Sequence, residues 1–150
     1  MATLVEATAP ADIASVRELF AEYARGVAEP CCFAGFEREL AALPEGYVVL
    51  LLAQEGAAPA GCVGVRALDP QTAEMKRLYV RPAFRGGGIG RILSAAAIAA
   101  ARRGGYQRIV LDSLPKMHAA LTLYRQLEFR EVAPYLAQPT PGALCFELRL

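Results

Sequence analysis

Apolar positions change their spacing several times along the chain, and each change predicts an element. Thr3 to Thr8 reads as a short extended start leading into Ala9-Pro-Ala-Asp12, where Asp12 suits a helix N-cap because its short acceptor side chain reaches the free N–H groups of the first turn. Ile13, Val16, Leu19, Phe20 and Tyr23 then recur at helical spacing and predict an amphipathic helix ending near Gly26. Phe33, Phe36, Leu40 and Leu43 predict a second helix, closed by Pro44 and Gly46. Tyr47 to Ala53 is an unbroken apolar run, Gln54 to Gly61 a turn, and Cys62 to Leu68 a second extended run, which together predict a hairpin. Ala73 to Val80 is a third strand, halted by Pro82 and the glycines from Gly86 to Gly90.

The second half continues the alternation. Ile89 to Arg103 is rich in alanine, carries Ile92, Leu93, Ala96 and Ala100 on one side, and stops at Gly104-Gly105. Gln107 to Leu114 is a buried strand, since Ile109-Val-Leu has no polar interruption. Met117 to Leu127 predicts another helix, and Phe129 to Tyr135 and Ala143 to Leu150 predict two strands either side of the turn from Pro139 to Gly142. The order β-α-α-β-β-β-α-β-α-β-β predicts an α/β protein of the mixed α+β kind, with a mixed sheet and helices on its faces. No repeat, heptad or linker divides the chain, so residues 1–150 read as a single domain. The apolar closing run, Leu144 to Leu150, reads as an edge strand that could pair with a second chain to form a homodimer.

Composition narrows the function classes. With 55% hydrophobic and 21% charged residues the chain folds, and its 16 basic against 15 acidic residues argue against a uniformly basic nucleic-acid binder. The amino-terminal stretch carries Glu6 and lacks a basic region before an apolar core, which argues against export. The longest apolar runs are too short to cross a membrane, so a cytoplasmic protein is expected. Cys31, Cys32, Cys62 and Cys145 lack the paired spacing of a zinc site and the chain has a single histidine, His118, so no metal is expected and all four thiols read as reduced. His118 beside Lys116 suits a solvent-facing or capping position at a helix start.

The stretch Arg85-Gly-Gly-Gly-Ile-Gly90 lies between an apolar strand and a long helix. Glycines let successive N–H groups converge, and a helix N-terminus adds partial positive charge, so the loop can cradle a phosphate. Gly90 is followed by Arg91-Ile92 instead of Lys-Ser/Thr, which fails the P-loop pattern, and G-x-G-x-x-G fails from both Gly86 and Gly88. Arg81, Arg85 and Arg91 flank the loop, and such cations favour a bound anion.

The stretch from Val80 to Leu93 resembles the pyrophosphate-binding motif R/Q-x-x-G-x-G/A of the GNAT superfamily of acyl-CoA-dependent N-acetyltransferases, with Arg85, Gly88 and Gly90 at its defining positions. Leu123-Tyr-Arg-Gln-Leu-Glu-Phe129 is similar to a second element of that family, L-Y-x-x-x-G-F. The resemblance implies a mostly antiparallel sheet flanked by helices, acetyl-CoA as acyl donor, no metal, and a small-molecule or peptide amine as acceptor. It implies a cofactor site built from Leu78, Tyr79, Val80, Arg85, Gly86, Gly87, Gly88, Ile89, Gly90 and Arg91. It also implies three catalytic positions. The Leu78 N–H would face the thioester oxygen, Tyr124 would protonate the departing thiolate, and Glu74 would serve as general base, directly or through water, unless it merely pairs with Lys76. The family often has Asn where this chain has Met117, and Gly where it has Glu128. A non-catalytic acyl-CoA sensor and a phosphate-loop module without CoA are the rival readings.

The net charge of +1 conceals segregation: residues 1–74 sum to −7, while residues 75–111 carry eight basic residues and no acid. The basic block contains the expected phosphate loop, and the acidic block contains the two helices expected to border the acceptor. This pattern predicts a cationic amine acceptor.

Overall fold

Leu50 and Leu52 point to one side of their strand, and Val49, Leu51 and Ala53 to the other, yet all five are buried. A strand covered on both faces has no polar alternation, which is why its sequence is an unbroken apolar run. The computed structural model describes residues 1–29 and 33–150. Cys31-Cys32 falls outside the described residues, while Cys62 and Cys145 are buried free thiols.

The elements follow the expected order: β1 (Ala2–Glu6), α1 (Pro10–Val27), α2 (Phe36–Ala42), β2 (Val49–Glu55), β3 (Ala58–Asp69), β4 (Thr72–Val80), α3 (Ile89–Arg103), β5 (Arg108–Ser113), α4 (His118–Gln126), β6 (Arg130–Val132) and β7 (Leu144–Arg149). A short 3-10 turn, Pro82–Phe84, precedes α3. The seven strands form one sheet in the order β1-β2-β3-β4-β5-β7-β6, antiparallel except for β4 against β5. Val16, Leu19 and Phe20 of α1 pack on Leu50, Leu52 and Cys62 on one face. On the other face, Ile89, Leu93, Ala97 and Ile98 of α3 and Leu121 and Tyr124 of α4 meet Leu51, Val63, Val65, Met75 and Leu111.

Three local expectations are corrected. Helix α1 starts at Pro10 behind Ala9, with Asp12 inside its first turn and no side-chain cap, because proline at the first position needs no N–H partner. The β2–β3 connection is only Gly56 and Ala57, with Glu55 opposite Ala58; a bulge between Ala53 and Gln54 accommodates Pro59 inside the pairing. The strand Leu144–Arg149 is interior, paired to β5 on one side and β6 on the other, so the edge that would have joined a second chain is not there. Burial of Cys145 and Phe146 on an interior strand explains the apolar run equally well.

Strand pairing also opens the sheet. The parallel ladder of β4 with β5 has three pairs, Thr72–Arg108, Ala73–Ile109 and Glu74–Val110. Beyond them β4 runs on to Val80 and β5 to Ser113 without pairing to each other, which leaves a wedge between the strands.

Candidate active site

One wall of the wedge is a bulge in β4. Between the Gly64–Lys76 and Cys62–Tyr79 pairs, Arg77 and Leu78 stand opposite the single residue Val63. Arg77 takes the left-handed conformation, φ +61°, that a non-glycine residue adopts only when held there. The Cys62 thiol bonds the Arg77 carbonyl at 3.5 Å. The buried Arg77 guanidinium forks onto Glu39 of α2, Nε to Oε2 at 3.1 Å and Nη2 to Oε1 at 2.9 Å. It also lies 4.6 Å and 5.1 Å from the ring centres of Phe33 and Phe36. Glu39 Oε2 accepts from the Tyr47 hydroxyl as well, at 2.7 Å. Burial alone would raise the Glu39 pKa, but the Arg77 hydrogen bonds and charge outweigh it and hold the carboxyl below the usual range.

The glycine loop forms the mouth of the wedge. Gly88 is the N-cap of α3 at φ +84°, and its carbonyl accepts the first helical bond from the Ile92 N–H. No acid lies in the first turn of α3, so its N–H groups and dipole face the loop without competition. The flanking arginines differ from expectation. Arg81 is fully engaged by Glu22, Glu18 and the Pro59 carbonyl, so it is not an uncompensated cation. Arg85 bonds the Val80 carbonyl and lies near the Tyr79 ring, and Arg91 bonds Gln126; neither has a carboxylate partner among the described residues.

Two spaces meet in the wedge. A groove of about 910 Å³ runs along Leu78, Tyr79, Val80, Arg85, Gly86, Gly88, Ile89 and Gly90, with Lys116 to Ala120 and Leu123 opposite. Of the expected cofactor residues, only Gly87 and Arg91 fall outside its lining. A second cavity, about 60 Å³, is bounded by Lys76, Asp112, Ser113 and Tyr124, with Thr140 and Ala143 of the β6–β7 connection. The two share Tyr23, Val27, Leu78, Met117 and Ala120. Met117, in the family's asparagine position, therefore stands where the spaces join. His118 is the exposed first residue of α4 on the rim of the groove.

Tyr124 packs against Phe129 and Phe146, with ring centres 5.9 Å and 6.2 Å away. Burial, reinforced by the nearby Tyr23 and Asp112, raises its pKa, so the phenol stays protonated at neutral pH. Glu74 borders neither cavity: it is wholly buried, with Oε1 on Arg66 at 2.7 Å and Oε2 accepting from Tyr135 at 2.5 Å. Its ion-pair partner is thus Arg66 instead of Lys76. Asp112, at the end of β5, lines the smaller cavity. Of the carboxylates in the acidic block, Glu18 and Glu22 are held by Arg81, Glu39 by Arg77 and Glu29 by Lys116. Among the described residues no helix is long and apolar enough to cross a membrane, and no cluster of His, Cys, Asp or Glu is placed to hold a metal.

Comparison with known proteins bears on this geometry. The model of the acetyltransferase (GNAT) family matches residues 13–129. An uncharacterized N-acetyltransferase of Schizosaccharomyces pombe is 31% identical over 147 residues, covering 94% of this chain and 90% of the relative. An acetyltransferase structure from Streptococcus agalactiae superposes with a TM-score of 0.82 at 19% identity, covering 99% of this chain and 98% of that one. A GNAT family acetyltransferase from Elizabethkingia anophelis, solved with acetyl-CoA bound, shares the fold at a TM-score of 0.65 and 20% identity, over 99% and 98% of the two chains. The glycine loop, the wedge and the matched span agree, and this chain is an acyltransferase belonging to the GNAT acetyltransferase family.

Proposed function

We propose that the protein transfers the acetyl group of acetyl-CoA to a primary amine of a small molecule or peptide, by direct attack within a ternary complex. The observation that carries this reading is the junction of the two cavities at Leu78. A long groove ending on a phosphate-type loop suits the donor, and the smaller chamber beyond Leu78 suits the acceptor. The donor fits the residues present. Gly86 and Gly88 leave open space where any side chain would project, α3 presents its N-terminus, and Arg85 and Arg91 carry charge that no described acid balances.

Acetyl-CoA supplies an acyl thioester, and the residues of this chain do the rest. In this reading the Leu78 N–H, displaced from regular pairing by the bulge, stabilises the negative charge on the thioester oxygen, and the Val80 backbone holds the pantetheine arm. Loop N–H groups from Gly86 to Arg91 take the pyrophosphate. Asp112, open to the acceptor chamber, accepts the proton that the amine loses on forming the N–C bond. Tyr124 gives a proton to the sulfur as the C–S bond breaks, and exchange with solvent resets both groups. Glu74, if it acts as base, does so through water or the Tyr135 hydroxyl, since both its oxygens are engaged. The two buried free thiols accord with a reducing, cytoplasmic setting.

The test is a melting curve with and without acetyl-CoA, followed by thiol release across a panel of amines. Stabilisation by acetyl-CoA with amine-dependent thiol release is expected. No stabilisation and no release would overturn the reading.

A further inference from the structure

Among the described residues, Lys76 is the cation lining the acceptor chamber that no carboxylate holds in an ion pair, whereas Arg77 is held by Glu39. It precedes the bulge and alternates regularly with Glu74, so it faces the same side of β4, toward the β6–β7 connection that Tyr135 ties down. It is half-buried, borders the chamber, and makes no hydrogen bond or ion pair among the described residues. The other buried or half-buried cations of this region are matched, Arg66 by Glu74, Arg77 by Glu39 and Arg81 by Glu22. A lysine that loses hydration without gaining a partner is costly unless a ligand completes it. Loss of hydration lowers its pKa, while the neighbouring Glu74 and Asp112 work against that loss. Asp112 lines the same chamber and forms no ion pair with Lys76, so the two stand on the chamber wall as separate, opposite charges.

We infer that the acceptor carries a carboxylate near its amine, the carboxylate seated on Lys76 and the amine directed to Asp112, as a small amino acid would present them. The inference rests on the acetyltransferase reading above and names the substrate class of that same chamber. It replaces the cationic acceptor expected from the charge blocks, because Glu18, Glu22, Glu29 and Glu39 are engaged and the chamber presents the unpaired cation Lys76 beside Asp112. The chamber's size, about 60 Å³, argues for an acceptor with a short side chain.

Thiol release from acetyl-CoA is to be measured with glycine, L-alanine, L-serine and L-methionine, each beside its carboxamide, and with putrescine. The free acids should exceed their amides in kcat/KM by about tenfold or more, mainly through KM, since hydrogen bonds to charged groups are the strong ones. Lys76→Gln should collapse that ratio toward one and Lys76→Arg should restore it, with far-UV circular dichroism confirming that both variants fold. Amides or putrescine turned over as well as the acids, an unchanged ratio in Lys76→Gln, or stabilisation by acetyl-CoA with no acid turned over would each overturn this inference while leaving the donor site intact. Absence of acetyl-CoA stabilisation together with absence of any thiol release would overturn the acetyltransferase reading itself.

Discussion

Tyr135 donates a 2.5 Å hydrogen bond to Glu74 Oε2, joining the segment after β6 to the strand that carries the bulge, 61 residues earlier. Glu74 is wholly buried and its other oxygen is held by Arg66, so the three side chains make one satisfied polar unit beneath the acceptor chamber. Burial and the adjacent Glu74 charge push the Tyr135 pKa upward, keeping the phenol a donor at neutral pH.

Replacing Tyr135 with Phe leaves one oxygen of a buried carboxylate without its partner, at a cost of about 1–2 kcal/mol. Urea unfolding should show that loss. Because the same bond tethers the connection carrying Thr140 and Ala143, acceptor KM should rise several-fold more than acetyl-CoA KM. Unchanged stability would mean that this bond does not contribute in solution.

Tyr124 is placed by aromatic packing and kept protonated by burial. If it protonates the departing thiolate, Tyr124→Phe removes the donor while keeping the ring, and kcat should fall about a hundredfold with little change in acetyl-CoA affinity. Full activity in the phenylalanine variant across pH would remove Tyr124 from the mechanism.

Local chemistry explains what could be read in the sequence. The glycine loop was legible because its requirements, positive φ at Gly86 and Gly88 and open space beside them, are met by one residue type in one short stretch. The helices and strands were legible from their apolar spacing. By contrast, Ala9-Pro10 and Asp12 offered two helix starts, and proline geometry prevailed over a side-chain cap. The bulge was illegible because no residue type signals Arg77 at φ +61°; its cause is Glu39, 38 positions away, with Phe33 and Phe36 beside it. Lys76 and Asp112 share a chamber only because the β4–β5 ladder ends at Glu74–Val110, a matter of strand pairing at long range.

Gly88 tests the loop. At φ +84° an alanine there pays the left-handed penalty of about 1–2 kcal/mol. No heavy atom lies within 4 Å of the added methyl, so the effect is backbone strain and not a clash. Gly88→Ala should lower the melting temperature modestly and sharply weaken stabilisation by acetyl-CoA. An undiminished shift with acetyl-CoA would show that the donor does not rely on this turn.

The clamp on the bulge predicts a pH dependence whose sign is fixed. Arg77 holds the Glu39 pKa below its ordinary 4.5, so the folded state binds this proton less readily than the unfolded chain. The stabilisation is complete above the unfolded value and is lost as pH falls from about 4.5 through the folded value. Glu22, lowered by its hydrogen bonds to Arg81, adds a loss of the same sign. Glu39→Gln abolishes the first contribution and removes the carboxylate charge that the buried Arg77 is paired with, costing about 3–5 kcal/mol near neutrality. Between pH 6 and pH 3 the variant's stability should therefore decline less steeply than the wild type's, from a lower start. Its kcat should also fall, because the residue that displaces the Leu78 N–H from the ladder is no longer held. Urea midpoints across that range, with kcat at neutral pH, decide the matter: parallel stability curves, or an unchanged kcat, would separate Glu39 from the bulge and from the oxyanion-binding role proposed for Leu78.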